Sequence, residues 1–171
     1  MEGFDEEYER EMAEARRRAR EQGRGDVLDY LSLKAANDSL RARAVELLLG
    51  AFTTLAGELN REGAGVALAR TDAHRFRIGH STMVGTRLTL SRGLRSLTVE
   101  AGWPRSPRDG IVRGGGLASA RVGHFGAPKA GEELLLLPAG DEPRWFVLEG
   151  TGARTELLEQ HLHRHVVMLL E

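Results

Sequence analysis

Arg87-Leu88-Thr89-Leu90-Ser91-Arg92-Gly93-Leu94-Arg95-Ser96-Leu97-Thr98-Val99-Glu100-Ala101-Gly102-Trp103 decides the fold. Leu88 and Leu90 alternate with Arg87, Thr89 and Ser91, and Leu97, Val99, Ala101 and Trp103 alternate with Ser96, Thr98 and Glu100. A period of two is that of a strand with one face buried. Ser91-Arg92-Gly93-Leu94 has hairpin length, so the two strands are expected to run antiparallel. Upstream, Phe76 and Ile78 alternate with Arg75 and Arg77 and add a third strand to the meander. Downstream, residues 117–125, 133–137 and 144–149 read as further strands, the last two joined by Pro138-Ala139-Gly140-Asp141-Glu142-Pro143. A sheet of about five to six strands is expected.

Away from these strands the period changes. After Asn37-Asp38-Ser39, any of which can cap a helix, Leu40, Ala44, Leu47, Leu48, Ala51, Leu55 and Leu59 recur at helical spacing. Val45, Leu49 and Phe52 widen that face, so the helix should be covered on more than one side, and Gly63 and Gly65 should end it. A final helix over 154–170 places Leu158, Leu162, Val166 and Leu169 on one face, with Leu157 and His165 beside it. Residues 5–21 carry Glu6/Arg10 and Glu14/Arg18 at i,i+4 spacing but only Tyr8, Met12 and alanines as apolar content. They read as part of a charged, partly solvated helical arm over 1–25, broken by Gly23 and Gly25, ahead of one domain over 26–171. The fold class is α+β: an antiparallel meander sheet covered on one face by N-terminal and C-terminal helices, with the other face open to solvent.

Composition sets the limits on function. The 171 residues have a formal net charge of −1, which rules out uniform attraction to nucleic acid or membrane as the leading property. The chain has no cysteine, so disulfides, thiolate nucleophiles and sulfur-based zinc sites are excluded. The longest apolar runs, Leu134–Leu137 and Val166–Leu170, are far short of the ~20 residues needed to span a bilayer. Glu2, Asp5, Glu6, Glu7 and Glu9 occupy the place where a secretory signal carries positive charge, so a cytoplasmic location is expected.

The charge is unevenly distributed. Residues 63–130 hold ten Arg and one Lys against Asp72, Glu100 and Asp109 alone. Arg75, Arg77 and Arg87 lie on the polar phases of their strands and are expected to share one face, with Arg95 and Arg121 near it. Guanidinium groups so placed grip phosphate or carboxylate through paired N–H donors. The structural alternative is a solvated sheet face salt-bridged to the acidic arm. Exposed aromatic rings for base stacking are missing, since Phe76 and Trp103 fall on apolar phases.

The segment Pro104–Gly116 has no periodicity and ends in Gly114-Gly115-Gly116. Successive glycines let backbone N–H groups converge on an anion, with Arg105, Arg108 and Arg113 supplying charge. It is neither a P-loop nor a dinucleotide fingerprint, because Lys-Ser/Thr and G-x-G-x-x-G are both missing.

Glu100 and His124, on strands flanking that loop, are the candidate acid/base pair, with Asp109 a further carboxylate and the loop arginines an anion clamp. His161 and His165 share a helix face at metal-pair spacing, but two ligands do not make a site, and Leu162 stands where the zinc-protease motif requires Glu. A structural role is expected for both, with His165 placed where the helix dipole favours its charged form. No metal or cofactor is expected.

The leading reading is a binding or regulatory module presenting the Arg-rich face and the Gly/Arg loop to an anionic macromolecule, either nucleic acid or an acidic protein. The second is an enzyme acting on a phosphorylated or carboxylated small molecule near Glu100 and His124. The third is a structural homodimer, a homo-oligomer in which the acidic arm of one copy meets the basic sheet of another.

Overall fold

The computed structural model describes residues 2–171. The chain divides into two compact units, Met1–Leu40 and Arg41–Glu171. The division falls inside a helix, fifteen residues beyond the end of the arm expected from sequence.

The first unit holds α1 (Glu2–Glu21) and the leading part of α2 (Gly25–Arg61). Gly23, at φ +65°, makes the break that its lack of a side chain permits. The Tyr8 hydroxyl donates to Asp38 Oδ2 at 2.6 Å, and the Lys34 ammonium lies 5.4 Å from the Tyr8 ring centroid. Asn37-Asp38-Ser39 therefore caps nothing. The helix runs through it unbroken, and the Asp38 carboxylate is taken up by a tyrosine thirty residues earlier.

The second unit is built on the remainder of α2 and seven strands: β1 (Ala67–Ile78), β2 (Ser81–Arg92), β3 (Arg95–Trp103), β4 (Ala118–His124), β5 (Glu132–Leu137), β6 (Arg144–Leu148) and β7 (Arg154–Glu156). All pair antiparallel in chain order, forming a single meander. The strand beyond the expected six is β7, which takes the first turn of what reads as the final helix. Arg154, Thr155 and Glu156 pair with Leu148, Val147 and Phe146, and α3 begins only at Glu159 and runs to Val167.

One sheet face carries Leu88, Leu90, Leu97, Val99, Ala101, Ala118, Ala120, Val122, Leu134, Leu136, Trp145 and Val147. Val45, Leu48, Leu49, Phe52, Leu55 and Ala56 of α2 close over it, together with Leu162, Val166 and Leu169 from the C-terminal end. Burying a side chain as fully as Phe52 contributes roughly 1.5–3 kcal/mol. Trp145 Nε1 donates to Ala44 O at 3.0 Å, so the indole of Trp145 keeps its polar edge satisfied. Arg70 of β1 bridges Glu46 of α2 and Asp72, tying the edge strand to the helix layer.

The second face is open only in part, and Arg75, Arg77 and Arg87, though exposed, do not share it as expected. Phe76 and Ile78 of β1, Met83 of β2, Val112 of the loop between β3 and β4 and Leu135 of β5 form a second buried cluster. The cause is a β-bulge. Thr71 pairs with Arg87 and His74 with Gly85, so β1 spends one residue more than β2 between those two pairs, with Ala73 at φ +51° inside the bulge. An extra residue exchanges the faces of everything beyond it. Phe76 and Ile78 are thereby turned to the second face, and Arg75 and Arg77 to the face of Val84 and Leu88, opposite to Arg87. Gly85 and Gly102, paired across β2 and β3, let the backbones close to a distance no side chain would tolerate. The outer halves of β1 and β2 thus bend over the second face and bury Phe76 and Ile78 against β5 and β6.

Candidate functional site

Most of the arginines expected to bind anions gather at one end of the second unit, around the β1–β2 turn. The 104–116 loop is stitched to that turn: Ser81 Oγ donates to Ile111 O at 2.8 Å and accepts from Ile111 N at 3.2 Å. Arg105 lies 3.8 Å from the centroid of the Trp103 ring and donates through Nη2 to Val84 O at 3.1 Å; Val84 is the register partner of Arg75. Arg113 packs on Gly79, where a Cβ would come within 2.6 Å of its Nη2, and its Nη1 lies 3.4 Å from Glu133 Oε2. Arg77 reaches only the backbone, with Nη2 3.5 Å from His80 O. Arg75 and Arg108, both exposed, make no ion pair or side-chain hydrogen bond among the described residues.

The glycine loop differs from the expected anion nest. Gly114 and Gly115 take positive φ inside a 3-10 turn, but Gly116 N–H is donated to Arg113 O, and the Arg154 guanidinium lies against Gly114. An anion approaching the glycines therefore meets Arg154 rather than bare backbone. Asp109 is held in its own turn by the Ser106 hydroxyl at 3.1 Å and faces no histidine.

The two members of the expected acid/base pair are not brought together. Glu100 lies on the second face, where Arg87, Glu100, Arg121 and Glu133 stand opposite one another across β2 to β5. Its Oε2 is 2.6 Å from His74 Nε2, and its Oε1 accepts from Arg121 Nη2 at 2.9 Å; Arg121 Nη1 also donates to Arg77 O at 3.1 Å. Burial pushes the Glu100 carboxyl up, but the hydrogen bonds from His74 and Arg121 outweigh it and hold the group below its ordinary range. This triad ties the curled end of β1 to β3 and β4. Arg87 belongs to this charge ladder rather than to the basic end.

His124 lies on the helix-covered face instead. Its Nε2 is 2.8 Å from His165 Nδ1, and His165 Nε2 is 2.5 Å from Glu132 Oε1, to which Arg164 Nη2 also donates at 2.8 Å. The imidazole rings are 5.1 Å apart between centroids and 19° from parallel. Burial lowers the pKa of both histidines; for His165 it prevails over the opposing pull of Glu132, so the helix-end charge expected there is not favoured. His161 does not pair with His165 but closes the start of α3, its Nδ1 accepting from Leu158 N at 2.9 Å. Among the described residues, no group of three or more His, Asp or Glu is placed to hold a metal ion.

A shallow groove of about 340 Å³ runs between α2 and α3, lined by Ala51, Leu55, Glu58, Leu157 and Leu162 among others; it contains none of the expected site residues. Among the described residues no helix is long and apolar enough to cross a membrane. Comparison of the chain with protein-family models, curated proteins and solved structures finds no match.

His74, Arg154 and His165 carry much of this arrangement without having stood out as such in the sequence. His74 sits beyond the bulge, Arg154 on a strand read as helix, and His165 at a spacing that suggested His161 as its partner. A bulge leaves no reliable mark in a single sequence, although the switch from Leu68 and Arg70 to Phe76 and Ile78 is a change of phase that can be read there.

Proposed function

We propose that the protein is a binding module that holds the phosphate backbone of a nucleic acid at the β1–β2 end of its sheet. The observation that carries this reading is that Arg75 and Arg108 are exposed without any carboxylate partner, in a chain that pairs many of its other arginines. Arg77, Arg105, Arg113 and Arg154 lie around them; Asp109 is the acid within the 104–116 loop, and Glu133 pairs with Arg113 alone of these arginines. Guanidinium is the side-chain group best matched to phosphate oxygens. Phe76 and Trp103 are buried, so the interaction engages the backbone and not the bases, and binding is independent of sequence.

The test is fluorescence anisotropy of a labelled single-stranded oligonucleotide and of its duplex, titrated with protein at several salt concentrations. The double variant Arg75→Glu/Arg77→Glu should stay folded and lose most affinity, with the log–log salt slope flattened by roughly 0.7–0.9 per lost contact. Arg17→Glu/Arg20→Glu, exposed on α1, is the control and should change little. Equal losses in both variants, or wild-type protein that ignores both nucleic acids at low salt, would overturn the reading. Binding of polyglutamate in place of either nucleic acid would reassign the site to an acidic protein.

A further inference from the structure

We propose that α3 is an acid-released latch, held on the sheet by the hydrogen-bonded chain His124–His165–Glu132. The geometry fixes the tautomers. The ionised Glu132 can only accept, so His165 donates to it through Nε2, which leaves His165 Nδ1 as an acceptor when the ring is neutral. His124 must then donate through Nε2, and its own Nδ1 keeps a lone pair. The chain therefore has one proton between each pair of facing atoms and runs from β4 through α3 to β5.

Protons added to this chain are not equivalent. The first leaves a single hydrogen between the two rings, whichever nitrogen carries it, and both hydrogen bonds survive. The second puts an N–H on each of the facing nitrogens 2.8 Å apart and makes two cations of rings 5.1 Å apart. The charged and titratable groups that act on them lie on β5 and α3, with one more on each of the neighbouring turn and α2. Glu132 of β5 favours positive charge, while Arg164 and His161 of α3 oppose it at His165. Lys129 lies in the turn before β5, and Glu58 of α2 lines the groove against Leu162. His165 is buried and His124 only partly exposed, so solvent screens the pair of charges weakly.

The latch is the part that yields. α3 has nine residues, too few to be stable as a helix away from the core, and it is attached through Leu162, His165 and Val166. Both histidines have their pKa lowered in the folded molecule, so their contribution is intact above the ordinary histidine range and is lost as pH falls through the lowered values. The expected product of acidification is a molecule with its sheet intact and α3 detached.

The test is pH-dependent amide exchange of the full chain, together with nitrogen chemical shifts of the imidazole rings. At neutral pH the shifts should report a protonated Nε2 and a bare Nδ1 on both His124 and His165. Protection of α3 should fall below pH 6.5 with a slope steeper than tenfold per pH unit, as uptake of more than one proton requires, while β2 to β5 stay protected. His124→Gln keeps the donor to His165 but removes one titrating ring, so its slope should be tenfold per pH unit or less. Other tautomers, α3 protection unchanged down to pH 5, or loss that follows the His161 ring and is the same in His124→Gln as in the wild type, would overturn the proposal.

Discussion

Gly85 faces Gly102 across β2 and β3, and a Cβ built on Gly85 would lie 1.8 Å from Ala101 O, while one on Gly102 would lie 2.4 Å from Val84 O. Backbone cannot move aside as the end of a flexible side chain can. Gly85→Ala and Gly102→Ala should each cost about 1–3 kcal/mol or more, a fall in Tm of several degrees measured by thermal unfolding. Gly123→Ala on β4 meets nothing within 4 Å and should stay within about 0.5 kcal/mol of the wild type.

Glu100→Gln keeps the shape of the side chain but removes the charge that His74 and Arg121 share. The folded state holds this carboxyl below its ordinary range, so its stabilising effect is complete above that range and disappears as pH falls through the lowered value. Urea unfolding should show the variant about 1–2 kcal/mol less stable at pH 7, with the gap closing as both proteins are taken to pH 3. A gap independent of pH would mean that packing, and not charge, is what the glutamate supplies.

Asn60 closes the turn from α2 into the sheet with both ends of its amide: Nδ2 donates to Val66 O at 2.8 Å and Oδ1 accepts from Val66 N at 2.6 Å. Asn60→Ala leaves both backbone groups of the buried Val66 without that partner and should cost about 2 kcal/mol. Asn60→Asp keeps the acceptor alone and should fall between the two. Denaturant midpoints at constant m-value will order the three proteins.

Tyr8→Phe removes the hydroxyl that reaches Asp38 and leaves the ring under Lys34. Amides of α1 and of residues 25–40 should exchange several-fold faster, matching the roughly 0.5–1.5 kcal/mol of one hydrogen bond, while those of the sheet keep their rates. Loss of protection throughout the sheet would show that the two units unfold together.

Periodicity revealed the elements themselves: Leu88 and Leu90 against Thr89, or Val45, Leu49 and Phe52 on α2, behave as their spacing requires because burial of one face is a strong and local signal. The positions of Arg75, Arg77 and Arg87 relative to each other were not legible, since all three depend on one bulge at Ala73 that no side chain there demands. Glu100 and His124 show the same limit. They lie on neighbouring strands, but their offset along the paired strands sends one to the charge ladder and the other beneath α3. Arg105 and Arg113 of the 104–116 loop reach the β1–β2 end, because a loop joining adjacent strands must leave and return at one end of the sheet.

A meander that pairs each strand with the one before it can be assembled in the order of translation. No strand waits for a partner made later, and the loops to be closed between β1, β2 and β3 are as short as two residues. The burden of delay falls on α2 instead. Its apolar side, Val45, Leu49 and Phe52, leaves the ribosome before any strand exists to cover it, and stays uncovered until the sheet has formed. Until then the apolar side of α2 is a surface for a nascent-chain chaperone to hold.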